Sequence, residues 1–150
     1  MWFACIIREF EKFSKDIDEI EHRHKGNDVL LLRKIGKYFF DLATKNFPLF
    51  SFMFLPTPPS SKKRKGPYEL QRSKAGFTNL SKVVTRAIRS GEIKEKDPML
   101  LSLAIWGFVL GPAIISSSMY SHFFEDFSEK GFNPNEYHEY ILSLMKDILK

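Results

Sequence analysis

Histidine, cysteine and one run of bases are the residue types here that could do chemistry, and their spacing is informative. His22 and His24 stand two apart. On a helix that offset points them in different directions, so they make a poor metal pair. His122 has Glu125 and Asp126 at i+3 and i+4, a spacing at which helical side chains can share a ligand or a proton. A solvated polar face ahead of Gly131 accounts for the same trio. His138, between Glu136 and Glu139 at the start of a helix, is unremarkable by its neighbours. Cys5 is the single cysteine, so it forms no internal disulfide, and a reducing, cytoplasmic setting is expected. It reads as a small buried hydrophobe; a redox sensor would need an exposed thiol of lowered pKa. No phosphate-cradling glycine loop, nucleophile elbow or metal-binding Cys/His set occurs. The expectation is a protein with no catalytic residue, no metal and no cofactor.

Lys62, Lys63, Arg64 and Lys65 form the one dense basic cluster. It lacks interleaved aromatics and follows Pro56, Pro58 and Pro59, which reads as a hydrated loop. The net charge of +5 permits contact with nucleic acid or an anionic surface without demanding it.

The elements that must position these residues are helical. The 150 residues suit one domain, 1–150, with a core that needs no disulfide or metal. Phe is the outlier at 15 residues. Rings that large bury much area each, and a core rich in them can leave room for an apolar ligand. Phe3, Ile6, Ile7, Phe10, Phe13, Ile17 and Ile20 recur three or four apart and make one apolar stripe, with Lys12, Lys15, Asp16 and Glu19 off it. Gly26 closes that helix, and Asn27 or Asp28 caps the next. The second helix carries Leu32, Ile35, Gly36, Phe39, Leu42 and Ala43, widened by Leu31 and Tyr38, so it should be contacted on more than one side. Pro48 opens a short apolar element. A long helix from about Tyr68 to Ser90 shows Leu70, Ser73, Phe77, Leu80, Val84, Ala87 and Ile88 on one face. Arg86 and Arg89 sit in its last turn, with Gly91 beyond its end. Asp97-Pro98 and Asn133-Pro134 are cap-plus-proline starts, the second with Glu136 as a capping-box acid. The last helix places Tyr137, Ile141, Leu144, Met145 and Ile148 on one face.

From Pro98 to Phe124 the chain has no Asp, Glu, Lys or Arg. A bilayer-spanning helix needs about 20 apolar residues, and Gly107 and Gly111 match the small-residue spacing of membrane helix pairs. Ser102, Pro112 and the run Ser116-Ser117-Ser118, beside strongly amphipathic neighbours, favour instead a helix buried between its own domain and a second subunit. Gly107 and Gly111 would then admit a neighbour's backbone, and Pro112 would bend the helix. The expected partner is therefore another copy of the chain and not a membrane. The alternative is a membrane-associated helical protein using 98–124 and the apolar stretch from Phe47 to Leu55.

The stretch Val83-Val84-Thr85-Arg86-Ala87-Ile88-Arg89-Ser90-Gly91-Glu92-Ile93, followed by Asp97-Pro98 and an uncharged helix with Trp106-Gly107 and Gly111, resembles the regulatory domain of TetR-family transcriptional repressors. The opening Trp2-Phe3-Ala4-Cys5-Ile6-Ile7-Arg8-Glu9 is similar to the helix that emerges from that family's DNA-binding domain. The resemblance implies an all-α fold, an antiparallel helical bundle that dimerises through its last two long helices. Leu103, Gly107, Gly111, Ile141, Leu144, Met145 and Ile148 are the candidate dimer residues. It also implies a small apolar or amphipathic effector bound among the middle helices. Phe39, Phe54, Phe77 and Trp106, large rings turned inward by periodicity, are its candidate contacts; ordinary packed core explains each of them as well. The family's N-terminal helix-turn-helix reader is absent from these residues, so DNA would be reached only through a module outside them.

Overall fold

The computed structural model describes residues 2–55, 67–94, 97–117, 122–123, 126 and 129–149, without the side chains of 2–4, 6, 67–73 and 75. The basic cluster at 62–65 lies outside the described residues, as does Glu125. Among the described residues there are six helices and no strand: α1 Trp2–Arg23, α2 Asp28–Lys45, α3 Phe47–Phe54, α4 Pro67–Arg89, α5 Pro98–Ile115 and α6 Pro134–Ile148. The chain is all-α.

Short polar residues set the helix starts. Asn27 caps α2, its side chain accepting from the Leu30 N–H, and Asp97 caps α5, accepting from Met99 and Leu100 N–H. Asn133 does the same for α6 through Asn135 and Glu136, with proline following directly in both α5 and α6. Each cap satisfies donors that have no partner inside the helix. Asn46 serves two helices at once. Its N–H donates to Leu42 O at the end of α2, and its side chain accepts from the Leu49 N–H at the start of α3. The end of α4 is set by Gly91 at φ +81°. Gly91 N–H donates to Ile88 O and Glu92 N–H to Ala87 O, the paired bonds of a left-handed helix stop. The turn carries Ile93 into the core.

α2 lies at the centre and packs against all five other helices. It buries Leu31, Leu32, Ile35, Gly36, Phe39, Phe40 and Ala43, which is why apolar residues cover so much of its circumference. Gly36 marks its crossing with α6: a Cβ there would meet Leu142 Cδ2 at 2.9 Å. From α1 come Phe10, Phe13 and Ile17, and from α4 Leu80, Val83, Val84 and Ala87. Ile7 departs from the expected stripe and is exposed; Leu70 and Ser73 belong to the side chains not described.

Two polar links hold α1, α2 and α4 in register. Tyr38 Oη donates to Asp16 Oδ2 at 2.9 Å, and burial together with that carboxylate holds the phenol well above its usual range. Arg86 reaches from α4 to both other helices, its Nη2 2.7 Å from Asp28 Oδ1 and its Nη1 2.7 Å from Glu21 Oε1. Those two carboxylates, Asp28 first, raise the guanidinium pKa further still. Glu92, just past the α4 stop, accepts from the Asp28 and Val29 N–H groups at 2.7 and 3.2 Å. A carboxylate at a helix N-terminus also meets the positive end of its dipole.

The last helix meets the core with a stripe that was not singled out from the sequence. Its buried residues are His138, Leu142 and Met145, continued by Leu149. That is a complete three-and-four stripe displaced by one residue from Tyr137, Ile141, Leu144 and Ile148. Met145, expected at the dimer face, is 4% exposed and sits in the chain's own core.

Candidate functional site

The four candidate ligand rings converge. Phe39 from α2, Phe54 from α3 and Trp106 from α5 lie with centroids 5.0 Å (Phe39–Phe54), 5.5 Å (Phe39–Trp106) and 6.1 Å (Phe54–Trp106) apart, and Phe77 from α4 stands 6.4 Å from Trp106. All four contacts are edge-to-face, the arrangement that brings a ring's positive rim to its neighbour's negative face. Phe13 joins from α1 at 5.0 Å from Phe54; the sequence placed it in the core but not at this junction. Gly76 lets the α4 backbone reach the rings. A Cβ there would lie 2.7 Å from Trp106, 3.1 Å from Phe54 and 3.2 Å from Phe39.

The rings pack on one another and leave little room. The cavity beside Phe39 and Trp106, bordered also by Leu32, Leu80, Ile105 and Val109, holds about 10 Å³. A single water needs roughly 10–15 Å³, and drug-sized ligand sites measure roughly 300–1,000 Å³. Among the described residues, the space beside Phe39 and Trp106 is too small for a ligand. A ligand here would have to displace rings.

The second candidate site is a surface. α5 buries Ser102, Ile105, Val109, Pro112 and Ala113, five of its 18 residues. Ser102 satisfies itself by donating to Pro98 O at 2.6 Å. The opposite side shows Leu100 at 64% and Leu103 at 48% exposure, with Ala104 and Gly107 also exposed and Gly111 half-buried. Among the described residues, no atom outside the helix lies within 4 Å of where a Cβ would sit on Gly107 or Gly111. On α6, Tyr140 is 62% and Ile148 61% exposed, and Ile141 and Leu144 are half-buried beside them. α5 and α6 are packed together, and each turns a second apolar stripe away from the core. On each helix these residues recur three and four apart.

His138 is the residue that local sequence undervalued. It is 6% exposed, stacks on Phe40 at 4.3 Å, and its Nε2 is hydrogen-bonded to Ser116 Oγ at 2.7 Å. Ser116 is the C-cap of α5, so the imidazole ties the end of α5 to the start of α6 against α2. Burial lowers its pKa, partly opposed by Asp41 and Glu139. Its signal was present in the sequence as the first member of the 138-142-145-149 stripe.

The remaining chemistry-bearing residues are dispersed. Cys5 is exposed, as are His22, His122 and Asp126. His24 Nε2 lies 2.8 Å from Asn27 O in the α1–α2 turn. Among the described residues no group of three or more His, Cys, Asp or Glu is placed to hold a metal ion. Set against known protein families, curated proteins and solved structures, the chain matches none of them.

Proposed function

We propose that the chain is the regulatory domain of a TetR-like transcriptional regulator, forming a homodimer through α5 and α6 and responding to a small apolar or amphipathic effector. The observation that carries this reading is the second, outward apolar stripe on each of those two packed helices. With the core stripe already filled, Leu100, Leu103, Gly107, Tyr140 and Ile148 gain nothing from the fold of one subunit. Pairing α5 and α6 with their mates removes them from water, and Gly107 lets two backbones approach. In this reading the protein works in the cytoplasm without cofactor or catalytic step. It meets DNA only through a reader outside these residues.

The effector half of the reading rests on the ring cluster where α1, α2, α3, α4 and α5 meet. Because these rings touch edge to face, an effector entering between them acts by favouring a minor arrangement with the rings apart, and its differential affinity sets the shift. Phe13, Tyr38 and Arg86 join the cluster and its neighbourhood to α1, the helix that would lead to the DNA reader.

Light scattering after size exclusion at micromolar concentration tests the dimer. The wild-type chain should elute at twice its subunit mass, and Leu103→Glu should shift it to the monomer while keeping its helical circular dichroism. A well-behaved wild-type monomer overturns the proposal.

One observation favours a second reading. α5 is long and apolar enough to cross a bilayer, and 28% of it is buried within the chain. Flotation with neutral vesicles separates the two: protein recovered only with lipid supports membrane association, and protein that stays in the aqueous layer as a dimer supports the regulator.

A further inference from the structure

A cleft of about 300 Å³ opens between the α1–α2 turn, α2 and α6, the smallest size usual for a small-molecule site. Lys25, Arg33, Lys34 and Lys37 line it, with Glu139 as the one carboxylate. Cations outnumber acids four to one there, so its field attracts anions. Leu30, 38% exposed, supplies an apolar wall. The opposite sides of the cleft are joined by Glu139 itself. Its Oε2 is 2.6 Å from Arg33 Nη2 and its Oε1 3.9 Å from Lys37 Nζ, with all three side chains 43–63% exposed. Glu139 is thus a tethered anion already seated on the two cations, held by an ion pair of the weak, solvent-accessible kind. Lys25 and Lys34 add charge that this one carboxylate does not balance.

We propose that this cleft binds a small amphipathic anion, a phosphate or carboxylate group on a short alkyl tail, by exchanging it for the Glu139 carboxylate. The anionic head takes the fork of Arg33 and the Lys37 ammonium, where a charge-assisted, two-point contact is strongest. The tail lies on Leu30. A concave site between three elements fits a free small molecule better than the flat surface of a membrane. The proposal is independent of the dimer, since none of these residues belongs to the α5 stripe or to the outward stripe of α6.

The resident carboxylate gives the test a sign. Hexyl phosphate, kept monomeric, is titrated into the full chain at low ionic strength by isothermal calorimetry, with inorganic phosphate and anionic vesicles as parallel probes. Hexyl phosphate should bind more tightly than inorganic phosphate, which lacks the tail. Glu139→Gln should tighten hexyl phosphate roughly two- to fivefold, the gain from removing a competitor held by a weak exposed pair. Arg33→Gln should weaken it about tenfold, whereas Lys45→Gln, on α2 but outside the cleft, should leave it unchanged. Circular dichroism confirms that each variant is folded. An unchanged or weaker affinity in Glu139→Gln overturns the proposal, as does equal weakening by Arg33→Gln and Lys45→Gln, or binding to vesicles without binding to hexyl phosphate.

Discussion

His138 turns pH into stability. Burial lowers its pKa in the folded chain, while in the unfolded chain it titrates near 6.5. The unfolded state therefore takes up the proton first. The contribution is complete above about pH 6.5 and is lost as the pH falls below it. Thermal unfolding followed by circular dichroism from pH 7.5 to 5 should show a declining midpoint, and His138→Gln, which keeps a hydrogen-bonding group near Ser116, should flatten that decline. An equal decline in the variant would assign the acid sensitivity to other groups. Gly76 is the other residue on which much depends. Its missing Cβ is what lets Trp106, Phe54 and Phe39 close over α4. Gly76→Val should cost about 2 kcal/mol or more through overpacking, too much for any gain from replacing glycine in a helix to offset. Urea denaturation measures it.

Among the elements, the helix ends and the inward faces were largely legible in the sequence. Asn27, Asp97-Pro98, Asn133-Pro134, Gly26 and Gly91 announce their roles because capping needs specific side chains and left-handed stops need glycine. The phase of α6 was not legible. Both of its faces are apolar, and hydropathy favoured Tyr137-Ile141-Leu144-Met145-Ile148, of which only Met145 is in the core, over the stripe that begins with a histidine. The 138-142-145-149 spacing offered that stripe as well, and the contact with Phe40 and Ser116 decides for it. The polar links between helices were equally hidden, because ion pairs far apart in sequence leave no periodic trace. Arg86 was assigned to the dipole of its own helix, yet it also bridges to Asp28 and Glu21, and Glu92 caps a helix 63 or 64 positions away. Glu92→Ala should cost about 1 kcal/mol, read as a lower urea midpoint with an unchanged slope.

At the scale of the whole molecule, the all-α class followed from periodicity that runs along most of the chain. What fills the core did not follow. A count of phenylalanines cannot distinguish rings that line a chamber from rings that close it, since the difference lies in edge-to-face distances between elements. The candidate site was legible as a set of converging residues and illegible as a volume. The proposed dimer has a thermodynamic signature of its own. If two subunits shelter the α5 and α6 stripes, the melting temperature should rise with protein concentration, and Leu103→Glu should abolish that dependence. A midpoint independent of concentration over a hundredfold range would contradict the shared interface.

Asn46 has a consequence for how the middle of the chain comes apart. With its backbone N–H closing α2 and its side chain opening α3, Asn46 is the single residue between the two helices. Asn46→Ala keeps the backbone bond to Leu42 O and removes only the acceptor for the Leu49 N–H, so hydrogen exchange should rise in the first turn of α3 and stay unchanged in the last turn of α2. Phe50 and Phe54 ride on α3, so loosening its first turn loosens their hold on the rings of α2 and α5.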